Sequence, residues 1–217
     1  MDFKEKNAAC QTQNAQFAPS TPPRKGLLFE TELLDVSFCE NLINLGFHAA
    51  HTAERADLAE KFLCLVSEIL TGNQSPLSEE TSCLARINLA ELYYNKFSRY
   101  DEAEAILRST LHSIQDTIGL RHCYTALLFA NLGELKVKQG HRAKALTYYK
   151  LSCATFESIT LDNFRTLSLY ASVASDYADL LSKAGNPKLS KTTSRRAETI
   201  KAAAAAQRQE ECQGCQH

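Results

Sequence analysis

The feature that most constrains this chain is a short triplet that returns at a nearly constant interval. Asn44-Leu45-Gly46, Asn88-Leu89-Ala90 and Asn131-Leu132-Gly133 recur, and Asp176-Tyr177-Ala178 is a degenerate fourth copy. The leading residues are 44, 43 and 45 positions apart. A period of that size is produced by stacked helix pairs, each pair being one repeated unit. A single hairpin leaves an apolar face in water, so neighbours must stack to hide it.

Each triplet sits in an apolar helical pattern that breaks at a turn and resumes as a second helix. Thr52 to Arg55, Phe97-Ser98-Arg99-Tyr100, Lys138-Gln139-Gly140-His141 and Lys183-Ala184-Gly185-Asn186-Pro187 supply the four breaks. Glycine and proline in the last of these fall where a helix should stop. Asp101 and Glu102 open a second helix, where the helix dipole favours acids. The triplet's own chemistry is steric. Gly46, Ala90, Gly133 and Ala178 let the first helix of a pair approach the second closely, and Ala59, Ala103 and Ala145 receive that approach. Leu89, Tyr93, Leu107, Leu132 and Tyr149 then fill the layer between helices.

Composition excludes several functions. The 24 basic and 25 acidic residues are well mixed and leave a net charge of -1, so no basic stripe is available to follow a phosphate backbone. No apolar run is long enough for a transmembrane helix. Acids among the first residues, Met1 to Lys6, argue against a secretory or transit leader. Residues 1–25 are polar and proline-rich and are expected to form a disordered arm. Cys39, Cys64, Cys83, Cys123 and Cys153 stand singly within helical patterns, as small buried hydrophobes of a reducing compartment do, and the cytosol is the natural setting.

Asn131-Leu132-Gly133-Glu134-Leu135 with Gln139-Gly140 and Ala145 resembles a tetratricopeptide repeat. The long period and the linker from Ile118 to Ala126 are similar to the kinesin-light-chain type of that repeat, in which a Gly-x-x-His-Pro stretch precedes the first helix. Here Cys123 replaces that proline. Tyr100-Asp101-Glu102-Ala103-Glu104 resembles the opening of that type's second helix. The resemblance covers about 27–206 and implies an all-α fold: an α-α superhelix, a tetratricopeptide-like solenoid of about four antiparallel helix pairs, with a flexible tail over 207–217. It also implies a non-enzymatic scaffold or adaptor that binds a segment of another protein in its concave groove, with no cofactor.

In that family the first helix of each pair lines the groove. The asparagines that open each motif, Asn44, Asn88 and Asn131, then project into it, with Asp176 in the fourth. Phe47, Glu91, Glu134 and Asp179 follow three residues later, and His51, Asn95, Lys138 and Lys183 lie one turn further on the same face. A carboxamide can pair with both the N–H and the C=O of an extended segment. Two roles remain open for these asparagines: gripping a partner, or bracing adjacent helices. Glu91, Glu134 and Lys138 would either select charge or form an ordinary solvated face. The clamp that holds an acidic chaperone tail needs converging lysines and arginines, so a basic or mixed-charge segment suits this groove better.

One rival constellation is Cys212-Gln213-Gly214-Cys215-Gln216-His217, which offers three ligands for zinc or a dithiol. No second Cys-x-x-Cys accompanies it. His48 and His51 are one turn apart but lack the glutamate of a zincin motif. No phosphate loop, nucleophile elbow or paired-carboxylate motif is present. A specialised chaperone for one client is a third reading, since small repeat proteins often serve that role.

Overall fold

The computed structural model describes residues 79–214 throughout, along with Leu45, Arg55, Leu58, Glu60 and Lys61; of residues 212–214 it describes the backbone only. The expected arm, most of the first helix pair, and the candidate residues Asn44, Phe47, His48 and His51 therefore lie outside the described residues. So do the side chains of Cys212, Cys215 and His217.

Within residues 79–214 six helices follow one another: α1 Glu79–Lys96, α2 Tyr100–Thr117, α3 Cys123–Lys138, α4 Arg142–Glu157, α5 Phe164–Lys183 and α6 Pro187–Gly214. They form three antiparallel pairs. The second helices bury a single stripe: Ala103, Leu107, Thr110 and Ile114 in α2, and Ala145, Tyr149, Ser152, Cys153 and Phe156 in α4. That spacing is one face of a helix. α3 and α5 are buried on two sides, because each packs on its own partner and on the preceding pair.

α3 shows how one helix serves both neighbours. Leu128, Leu132 and Leu135 enter the core shared with α1 and α2, whereas Ala126 and Ala130 enter the core shared with α4, α5 and α6. Large side chains thus face one layer and small ones the other. Each fully buried leucine contributes about 1.5–3 kcal/mol, so the leucine face of α3 is a principal reason that the first two described pairs stay stacked. The close approach expected from the triplet is present. A Cβ on Gly133 would meet the Tyr149 ring at 3.0 Å, and Ala90, Ala103, Ala145 and Ala178 are all at most 1% exposed. Hydroxyls tie the paired helices at similarly close points: Ser152 donates to the Ala126 carbonyl at 2.7 Å and Ser190 to that of Ala178 at 2.8 Å.

The turns within pairs are built alike. Gly140 (φ 78°) and Gly185 (φ 79°) occupy the left-handed position after α3 and α5. The next residue's N–H then returns to the helix, His141 to the Lys136 carbonyl and Asn186 to that of Leu181. After α1 the same position holds Ser98 (φ 54°). Its neighbour Arg99 pairs with Glu60 and Glu102 and lies 4.1 Å from the centre of the Tyr93 ring. The links between pairs end in side-chain caps: His122 accepts the Tyr124 N–H, and Asn163 accepts that of Thr166.

α6 continues to Gly214, past position 207 where the tail was expected to begin. Tertiary contacts hold that extension. The Gln207 amide donates to the Asp162 carbonyl at 2.5 Å, and Arg208 lies over the Phe164 ring. Among the described residues no helix is long and apolar enough to cross a membrane.

Candidate functional site

α1 packs on α3 and α3 on α5, whereas α2, α4 and α6 meet only through long side chains, Arg108 with Tyr148 and Arg196 with Glu157. The second helices therefore splay apart and the first helices draw together, which places α1, α3 and α5 along the inner face. Asn88, Asn131 and Asp176 occupy corresponding places on those three helices.

Their environments differ. The Asn131 carboxamide is engaged at both ends: Nδ2 donates to the Leu127 carbonyl at 2.9 Å, and Oδ1 lies 2.9 Å from the Tyr94 hydroxyl. That hydroxyl is also 3.0 Å from Glu134 Oε2, so one proton serves two acceptors on the next repeat. Burial, the charges of Glu134 and Glu91, and the hydrogen bond to Glu134 all push the Tyr94 phenol well above its ordinary range. Asn131 thus acts as a brace between α1 and α3. Asn88 is half-buried and has no side-chain hydrogen-bond partner among the described residues.

Beyond Glu134 the inner face opens into a recess of about 340 Å³ between α3 and α5. Glu134 and Val137 come from α3, Tyr149 from α4, and Asp176, Asp179 and Leu180 from α5, with Arg142 and Lys183 at the turn end. Neither Asp176 nor Asp179 forms an ion pair with a described residue. Although Asp176 reaches solvent, loss of hydration in the recess raises its carboxyl above the ordinary range, and the charges of Glu134 and Asp179 raise it further. Burial, Asp176 and Glu134 likewise raise the Tyr149 phenol. Arg142 is turned to the end of α5, where Nη1 donates to the Lys183 carbonyl at 3.1 Å.

Of the sequence candidates, Glu134 lines this recess, Glu91 lies half-buried near Tyr94, and Lys138 is exposed outside the recess. Tyr149 was expected only as a filler between helices, and no local signal separates that role from a polar one. A larger hollow of about 880 Å³ opens beside the links around His122 and Asn163, where Glu80, Asp162 and Glu211 are set against Arg121 and Arg165. Both hollows carry three acids and two cations, but Glu80 there lies 3.3 Å from His122, whereas no carboxylate of the inner-face recess forms an ion pair with a described residue.

Sequence reasoning also missed a buried cation. Lys136 is 5% exposed, and its Nζ lies 2.5 Å from Glu104 of α2 and 2.7 Å from Gln139. Glu104 also binds Arg108, which reaches the Tyr148 hydroxyl of α4. This network joins three helices of two pairs on the side away from the recess. Burial pushes the Cys83 and Cys153 thiols up to about 12, away from the thiolate form.

Antiparallel pairs with a recurring small residue at their crossing, stacked so that first helices line one face, define a tetratricopeptide-like helical solenoid. Thirteen chains of solved structures match this one. Among them is the crystal structure of BtubC (BKLC) from P. vanneervenii, a kinesin light chain-like tetratricopeptide protein, with a TM-score of 0.57 and 19% identity over 76% of this chain. The chain spans 65% of the length of that protein. No protein-family model and no curated protein matches the sequence.

Proposed function

We propose that this protein is a non-catalytic scaffold that holds a segment of another protein along the face lined by α1, α3 and α5. The observation that carries this reading is the polar surface left unused on that face. Asn131 is consumed by packing, yet Asn88 and the two aspartates of α5 have no hydrogen-bond or ion-pair partner among the described residues. A carboxamide beside an acidic recess suits an extended segment that offers its backbone to Asn88 and basic side chains to the acids. Free Cys83, Cys123 and Cys153 suit a reducing compartment, and the cytosol is the setting we assign.

The test is capture of partners from a lysate, identified by mass spectrometry, alongside circular dichroism. Asn88→Ala is expected to keep full helicity and lose partners that the wild type retains. Asn131→Ala is expected to lower the unfolding midpoint, since it removes a brace. Equal capture by Asn88→Ala and wild type would place the binding face elsewhere.

A further inference from the structure

We infer that the recess between α3 and α5 accepts one arginine side chain from the bound segment. This rests on the scaffold reading above and gives it a specificity. Glu134, Asp176 and Asp179 bring three carboxylates to one small hollow, and none of them forms an ion pair with a described residue. A second and independent observation concerns Tyr149, which is only 5% exposed. One face of its ring meets the Cβ position of Gly133, and the ring stacks with that of Tyr177 at 6.4 Å. Its hydroxyl has no hydrogen-bond partner among the described residues, yet no enclosed side-chain oxygen there is left unsatisfied. The phenol oxygen is therefore reached by solvent, and Tyr149 lines the recess beside Asp176 and Glu134, whose charges act on the phenol. A nearly buried residue whose hydroxyl has no protein partner leaves that oxygen available to accept a donor from outside.

The chemistry selects a guanidinium. Among the described residues no group of three His, Cys, Asp or Glu side chains is close enough to hold a metal ion, so the carboxylates are too widely set to share a small cation. An arginine presents five donors in a planar fork and can reach several separated acceptors at once, whereas a lysine offers three donors from one point. The Tyr149 oxygen would accept one of those donors. Arg142 and Lys183 at the turn end set a limit on further positive charge and confine the recess to one cation.

The full chain is titrated with a fluorescein-labelled peptide alternating glycine and arginine, read by fluorescence anisotropy, with matched lysine and glutamate peptides. The arginine peptide should bind best and the glutamate peptide should not bind. Asp176→Asn combined with Asp179→Asn should weaken the arginine peptide about tenfold, the scale of a lost charge-assisted contact. Tyr149→Phe keeps the ring and should weaken it about threefold. Glu198→Gln, which removes one negative charge on the exposed side of α6, should leave it unchanged.

Unaltered binding by the double aspartate variant overturns the inference, as does an equal loss in Glu198→Gln, which would mark diffuse attraction. Equal affinity for the lysine peptide overturns the choice of arginine. The two readings separate cleanly. Partner capture that depends on Asn88 but not on Asp176 and Asp179 sinks the recess and leaves the scaffold standing. Arginine-peptide binding lost only in the aspartate variant, with normal capture by Asn88→Ala, supports the recess and moves the partner off Asn88.

Discussion

Gly133 of α3 lies face-on to the Tyr149 ring of α4, so close that an added Cβ would sit 3.0 Å from Cδ2 and 3.2 Å from Cε2. That ring is also stacked on Tyr177 and cannot retreat freely. The contact is where the small residue of the repeated triplet becomes tertiary structure.

Gly133→Ala sets two effects against each other. Alanine favours the helix by about 1 kcal/mol, whereas overpacking a filled core costs about 1–3 kcal/mol. A net loss of about 1 kcal/mol is expected from urea unfolding, and Gly133→Val should lose distinctly more. A Gly133→Val protein as stable as wild type would show that the crossing can widen without penalty.

Ser98 holds the left-handed conformation that Gly140 and Gly185 hold in the other two turns. A side chain there costs about 1–2 kcal/mol, partly offset by the extra freedom glycine gives the unfolded chain. Ser98→Gly should therefore stabilise the protein by about 0.5–1 kcal/mol. The expected readout is a higher urea midpoint at unchanged slope, with the Arg99 pairs intact. A fall in midpoint would mean that the serine makes a contact worth more than its strain.

Two carboxylates should give opposite pH responses. Partial burial pushes the Glu104 carboxyl up, but hydrogen bonds from Lys136 and Arg108 outweigh this and hold it below the ordinary range. A lowered folded value means stability that is present above the unfolded carboxylate range and is lost as pH falls toward the folded value. Asp176 is raised by loss of hydration and by Glu134 and Asp179, so its contribution is present in acid and is lost as pH rises from the usual aspartate range through the raised value. Glu104→Gln should thus be less stable than wild type near neutrality and converge with it in acid. Asp176→Asn should be more stable than wild type near neutrality, again converging in acid. Urea midpoints followed from neutral pH down through the carboxylate range check both responses. The same sign for both variants would contradict the assignment of repulsion to the recess.

Much of the architecture was written in local pattern. The triplets at 88, 131 and 176 mark the first helices of successive pairs, and Gly140 and Gly185 end helices where the sequence placed them. These features are legible because helix period, close crossing and left-handed turns each depend on residues a few positions apart. The site was only partly legible. Asn131 and Asn88 look alike in sequence, yet one is consumed by Tyr94, 37 residues earlier, and the other is left open.

Lys136 reads as a solvated lysine near a helix end until packing brings Glu104 of the previous pair against it. Tyr149 reads as core until packing places it on the lining of a recess with the acids of α5. Even the last turns of α6 are met by distant residues, Asp162 in a link and Phe164 at the start of α5. Sequence by itself determined that helices would form, pair and stack, because those preferences are carried within each repeat. Only the tertiary structure decided which polar groups were spent between repeats and which were left facing solvent. That choice depends on the register of one pair upon the next, set by side-chain packing across some forty residues.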